Sequence, residues 1–261
     1  MPLKLGARRP PHNLRWARHM LLSHLTIAGA GLGKPPPASQ PWWAPVEKRF
    51  GVAGWGMDGN DQVGDCVEAA IAHALMVWTC NGGPTPIDPN QSEVVSLYSA
   101  ITGYTPTNPA SDQGTDPTKA CDYLQATGFL GQKIAAFLTL EASRTALDNL
   151  KLAIQFFGGV LLCLDLPDYA ENTFSQGLWD YQPGQNFKLL GGHCILATAY
   201  DPDYLDVVTW GKRILMSYSF WNKFGWLVLP MVSADFLTSL GTNPTGMTLK
   251  RMVASLKLLT G

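Results

Sequence analysis

The strongest constraint on this chain is a change of character at Gly158-Gly159. Before it the sequence favours helices. Cys66 to Trp78 combines strong helix formers with an apolar face, Asp65 stands where an N-cap belongs, and Glu68 in the first turn suits the helix dipole. Asn81-Gly82-Gly83 ends that helix. A second helix is expected from Asp116-Pro117 to Gly128, and a third from Glu141 to Phe157. After the glycines come short β-branched and aliphatic runs, Val160–Leu164, His193–Tyr200, Asp206–Trp210 and Trp226–Leu229, which read as buried strands. Apolar residues at Leu249, Met252, Val253, Leu256 and Leu259 fit a final amphipathic helix. Helices first and strands later describe an α+β protein, with a helical lobe over 58–158 and a β-sheet lobe with a C-terminal helix over 159–261.

Residues 1–57 form a basic, proline-rich arm and linker. The first fifty residues carry eight Lys/Arg against one acid, Glu47, whereas the remaining 211 carry 11 Lys/Arg against 19 Asp/Glu. A basic arm on an acidic body points to contact with something acidic: a neighbouring subunit, another partner or, less well supported, a nucleic acid. Pro35, Pro36, Pro37, Pro41 and Pro45 favour an extended path, and Trp42 and Trp43 are expected to dock it on the body. The arm as a whole is expected to order along another surface, such as a neighbouring subunit. With 46% hydrophobic and 15% charged residues the body builds a sizeable core. No apolar run is long enough to span a bilayer, and Ser23 and His24 break the Met20–Gly33 stretch, which argues against a secretory signal. Five cysteines without paired spacings read as reduced thiols and cytoplasmic synthesis, with neither a disulfide framework nor a metal site; no cofactor is expected.

The chemistry concentrates at Cys66. At a helix N-terminus the peptide dipoles favour a thiolate, and a nearby imidazolium lowers the thiol pKa further. Of the five histidines, His193 is the best general base: it follows Gly191-Gly192 and opens an otherwise apolar strand. His12, His19 and His24 lie in the arm, and His73, two turns along the cysteine helix, reads as a packed helix residue.

These segments together resemble the papain-like cysteine peptidases. Gly64-Asp65-Cys66 before a helix resembles their nucleophile segment. Leu150 to Asp165 resembles their helix, glycine turn and first barrel strand. Ser175 to Asp180 resembles their "SGIYD" segment, and Gly192-His193 their "GH" strand. Order and spacing agree over residues 56–230, with poorly characterised phage and bacterial papain-like proteins as the nearest likeness. The resemblance implies a two-lobed fold and a Cys66–His193 pair. It also implies an oxyanion donor six residues before the cysteine, which here is Asn60, with Gln62 as the alternative. The family's orienting asparagine falls in Val208-Thr209-Trp210-Gly211, where Val208 replaces it and Thr209 is the nearest polar side chain. A longer insertion would supply Ser219 instead. Val67 stands where an aromatic residue usually follows the cysteine.

Two functions follow. One is a thiol hydrolase acting on a peptide or protein substrate, or another amide bond. The other is a catalytically degenerate module of a virion or similar assembly, anchored by its arm.

Overall fold

A computed structural model describes residues 3–10, 36–83 and 85–258. Segment 11–35, with His12, His19, His24, Leu21, Leu22, Leu25, Ile27 and Pro35, lies outside the described residues, as does Leu259. In chain order, strand β1 (Gln40–Pro41) leads into helix α1 (Ala44–Phe50), then α2 (Cys66–Asn81), α3 (Gln91–Thr102) and α4 (Pro117–Ala126). Strands β2 (Ile134–Phe137) and β3 (Leu140–Glu141) precede α5 (Leu147–Phe157), β4 (Val160–Pro167), α6 (Asp168–Phe174) and β5 (Leu178–Trp179). The remainder is β6 (Leu189–Tyr200), β7 (Tyr204–Thr209), β8 (Lys212–Ser217), α7 (Tyr218–Phe224), β9 (Gly225–Leu229), β10 (Met231–Ser233) and α8 (Leu249–Leu258).

The α+β organisation expected from the sequence is present. Helix α2 is buried on every side from Cys66 to Thr79, as befits a central helix whose apolar residues are not confined to one stripe. It packs against β6, and α1, α3 and α4 pack around it. The main sheet runs β3-β9-β4-β6-β7-β8-β5, with β1 continuing along β6 beyond the end of β4. A second, two-stranded sheet pairs β10 with β2, and α8 packs on both.

Several local expectations need correction. The third helix does not begin at Glu141. Leu140–Glu141 is a strand paired with β9, Ala142–Arg144 is a 3-10 turn, and α5 starts only at Leu147. His193 does not open its strand but lies four residues inside β6, because Leu189–Gly192 already pairs with Asp165–Pro167. Asp65 precedes α2 but makes no side-chain cap. Helix α3 was not anticipated, although Asn90 and Glu93 form a reciprocal capping box and Gly103 closes the helix in the left-handed region at φ 80°. Asn90→Ala should therefore cost about 1 kcal/mol in denaturant unfolding. An unchanged midpoint would mean that tertiary contacts alone hold α3.

The linker is not extended throughout. Pro45 enters the first turn of α1, where its missing N–H costs nothing. Both tryptophans dock on the body as expected. The Trp42 indole donates to Ile154 O at 2.8 Å, and Trp43 lies under Arg213, 3.9 Å from guanidinium carbon to ring centroid. Arg213 also pairs with Glu47 on α1 and Asp206 on β7. Trp78 and Asn243 donate to Phe157 O and Phe156 O, so three of the last carbonyls of α5 are satisfied by side chains. That fixes the helix immediately before Gly158 turns the chain into β4.

Candidate active site

Cys66 is the first residue of α2 and only 1% exposed. Burial pushes its thiol well above the ordinary range, against the pull of the Cys194 and Gly6 backbone amides beside the sulfur. His193 lies on β6 next to Cys194 and is fully buried, which lowers its pKa to about 3. Its Nε2 meets Thr209 Oγ1 at 2.6 Å, while Nδ1 is buried with no hydrogen-bond partner among the described residues.

Thr209 ends β7 and pairs with Lys212 across a two-residue turn, Trp210-Gly211. Both turn residues have positive φ, 46° and 69°. Glycine adopts this readily, but for tryptophan it is strained. The strain is matched by what the turn accomplishes: the Trp210 ring stacks on His193 at 4.4 Å and 23°. Trp179 on β5, within the Ser175–Asp180 segment, packs edge-on against both rings. The imidazole is thus held by one hydroxyl and two indoles.

Val208 faces away from the imidazole into the core and is fully buried. Ser219 is committed elsewhere, to Ser217, Asp180 and the Tyr181 carbonyl. Asn60 is buried, and its Nδ2 reaches Lys4 O and Val63 O at 3.4 Å each. Gln62 is exposed and borders a surface hollow with Gln91, Ser92 and Tyr104. His73 is a core residue held by the Trp55 carbonyl and by Asp58 at 3.2 Å.

One more component of the site comes from the basic arm. Residues 3–9 form a strap that threads the cleft. Lys4 N–H donates to Asn60 O, Ala7 N–H to Gly192 O, and Arg8 N–H to Thr115 O, while Thr115 N–H donates to Gly6 O. The pairing of Ala7 with Thr115 is parallel. A Cβ on Gly6 would lie 1.7 Å from Gly64 O, one on Gly114 2.0 Å from Gly6 O, and one on Gly192 2.1 Å from Ala7 O. Three glycines therefore permit the approach. The Gly6 amide of the strap lies beside the Cys66 sulfur, where it opposes the rise in thiol pKa that burial causes. This part of the arm thus lies along the chain's own body; its glycines sit in unrelated parts of the sequence, which is why sequence reading gave no signal for it.

Two buried acids flank the thiol. Glu68 Oε1 accepts from Thr115 Oγ1 at 2.8 Å, and burial raises its pKa to about 8. Burial, reinforced by Glu68, raises Asp65 to about 9, and neither Asp65 oxygen has a hydrogen-bond partner among the described residues. All five cysteines are free thiols, and Cys163 and Cys194 face each other in register across β4 and β6. Among the described residues no three His, Cys, Asp or Glu side chains are arranged to hold a metal ion. No described helix is long and apolar enough to cross a membrane.

The sequence matches no family model and no curated protein. Solved structures do match. Xylellain, a cysteine protease from Xylella fastidiosa, superposes with a TM-score of 0.63 at 14% identity, covering 89% of this chain and 98% of its own. Procathepsin B from Trypanosoma congolense follows with 0.54 at 11% identity, covering 88% and 86%. A structure from a study of the mite allergens Blo t 1 and Der p 1 gives 0.53 at 12%, covering 88% and 76%. At these identities the likeness establishes the fold: this chain has the papain-like two-lobed α+β fold.

Proposed function

We propose that this protein is a thiol hydrolase of peptide or other amide bonds, kept latent by its own N-terminal strap. One observation carries the reading: His193, pinned through Nε2 by Thr209, keeps Nδ1 without a hydrogen-bond partner among the described residues, on the strand whose next amide, that of Cys194, lies beside the Cys66 sulfur. With Thr209 accepting from Nε2–H, Nδ1 carries the lone pair and takes the thiol proton. The Cys66 thiolate then attacks the substrate carbonyl carbon. The Cys66 amide, which at the start of α2 has no partner within the helix, and Asn60 Nδ2 stabilise the oxyanion. His193 returns the proton to the leaving amine, and water, deprotonated by the same Nδ1, releases the acyl group and restores the thiol.

With the strap bound, the buried thiol is protonated, the imidazole is neutral and the strap occupies the approach to the sulfur. The test is a strap-displaced variant offered a peptide library, with cleavage read by mass spectrometry and Cys66→Ala as the control. Cleavage by both proteins, or by neither, rejects the hydrolase. In the same background Thr209→Val leaves Nε2 unpaired and should lower kcat/KM about tenfold, equivalent to roughly 1.4 kcal/mol, with Thr209→Ser restoring it. Equal kcat/KM for all three would remove Thr209 from the mechanism.

A second reading has its own support: a threonine stands at the third position and the thiol is deeply buried. In that reading the domain is a structural module of a phage virion or similar assembly, and the basic segment 1–50 attaches it to a neighbouring subunit. Salt-sensitive assembly of the full chain, abolished by deleting residues 1–50, is its expected mark.

A further inference from the structure

Where the strap leaves the cleft it fills a side-chain position. Three residues beyond Gly6, the Arg9 guanidinium pairs with Asp165 Oδ2 at 2.6 Å and lies over the Trp226 ring, 5.0 Å from its centroid. The receiving groups are the more buried partners: the Arg9 side chain is 61% exposed, that of Asp165 30%, and Trp226 only 6%. They also belong to the main sheet. Asp165 on β4 is the register partner of Gly192, the residue before His193 and the one whose carbonyl takes the Ala7 amide. Trp226 follows Gly225, the register partner of Leu164. A carboxylate and an aromatic face therefore stand side by side along the line by which an extended chain crosses towards Cys66. Beyond them the strap borders an open hollow of about 590 Å³, to which Arg8, Arg9, Asp116 and Lys119 contribute.

We propose that Asp165 and Trp226 form a subsite for a guanidinium group, occupied here by Arg9 and available to an arginine side chain of a peptide substrate when the strap is displaced. The word substrate rests on the hydrolase reading; the subsite does not. Guanidinium suits this pair better than ammonium. Its planar fork donates in-plane to a carboxylate while its face lies on an indole, whereas a lysine ammonium is a compact, strongly hydrated point charge. Because the strap is held a few residues from the thiol when Arg9 is seated, the preference concerns a side chain a few residues from the bond cleaved, not one adjoining it.

Full-length Arg9→Ala vacates the subsite while leaving Gly6 and the backbone pairing of the strap. Acetyl-arginine amide and its neutral near-isostere acetyl-citrulline amide are titrated into fluorotryptophan-labelled protein. Binding is read by fluorine NMR, with the Trp226 signal assigned through Trp226→Phe. The arginine compound is expected to shift the Trp226 signal and to bind at least about tenfold more tightly than citrulline. Asp165→Asn in the same background should erase that preference, and the parent chain, with Arg9 in place, should bind about tenfold more weakly. Equal affinity for the two compounds, or a preference that survives Asp165→Asn, overturns the proposal. Binding is scored without turnover, so loss of the hydrolase reading leaves this outcome intact. Alkylation of Cys66 judges that reading without involving the subsite.

Discussion

Gly6→Ala is expected to raise the rate at which iodoacetamide alkylates Cys66 by roughly 100-fold at neutral pH, the protection that a local closure worth about 2.7 kcal/mol confers. The added Cβ would fall 1.7 Å from Gly64 O, an atom of the backbone leading into α2, so no flexible side chain can yield. The strap must shift, and with it the amide that Gly6 holds against the sulfur. Water then reaches Cys66, the burial that raised its thiol pKa is relieved, and the helix N-terminus favours the thiolate. Cys80 provides the internal control. It lies about 21 Å away along α2 and burial raises its pKa to about 11, so its labelling should not change. Ala7→Pro displaces the strap by an independent route, since it deletes the N–H that Gly192 O accepts. Peptide mass mapping over time reads both variants. If both fold normally and label Cys66 as slowly as the parent, the strap is not what protects the thiol.

Asp65→Asn should flatten the loss of stability above pH 6. Asp65 is fully buried, and its pKa rises from 3.8 to about 9 through burial and then the charge of Glu68, with Asp58 adding to it. Between those values the folded state holds a proton that the unfolded state has released. Stability is therefore complete below the unfolded pKa and falls as pH rises, by about 1.4 kcal/mol per pH unit for one such group. The asparagine variant lacks this penalty, so it should gain about 2.7 kcal/mol on the parent between pH 6 and pH 8. Urea unfolding at both pH values measures it. Parallel pH profiles for the two proteins would mean that Asp65 is ionised in the native state. Glu68, at about 8, acts in the same direction. His193 acts in the opposite one. Its folded pKa of about 3 lies below the ordinary 6.5, so the stability it supports is present above 6.5 and is lost as pH falls towards 3.

How much could be read beforehand differs from residue to residue. Cys66 and His193 were marked by local chemistry, a thiol heading a run of helix formers and a histidine behind two glycines at an apolar strand. Thr209 came from spacing within the papain-like resemblance, yet its bond to Nε2 depends on β7 pairing in one register with β6. Helix α3 carries its own local signals in Asn90, Glu93 and Gly103. The start of α5 departs from the local helix signal because Leu140–Glu141 is drawn into the sheet by β9, more than eighty residues later in the chain.

Segment type followed from side-chain periodicity and capping chemistry, which act over a few residues and leave their mark in the chain itself. The α+β order, the cysteine at a helix N-terminus and the docking tryptophans belong to that class. The strap, the stacking of Trp210 on His193, the acids behind the thiol and the Arg9–Asp165–Trp226 contact belong to another. Each depends on residues that only the folded chain brings together, such as Thr115 against Glu68 and Arg9 against Asp165. Gly6, Gly64, Gly114 and Gly192 look alike in the sequence as small residues near turns. Only when the two lobes close on the strap does the absence of a Cβ at Gly6, Gly114 and Gly192 become the reason it fits.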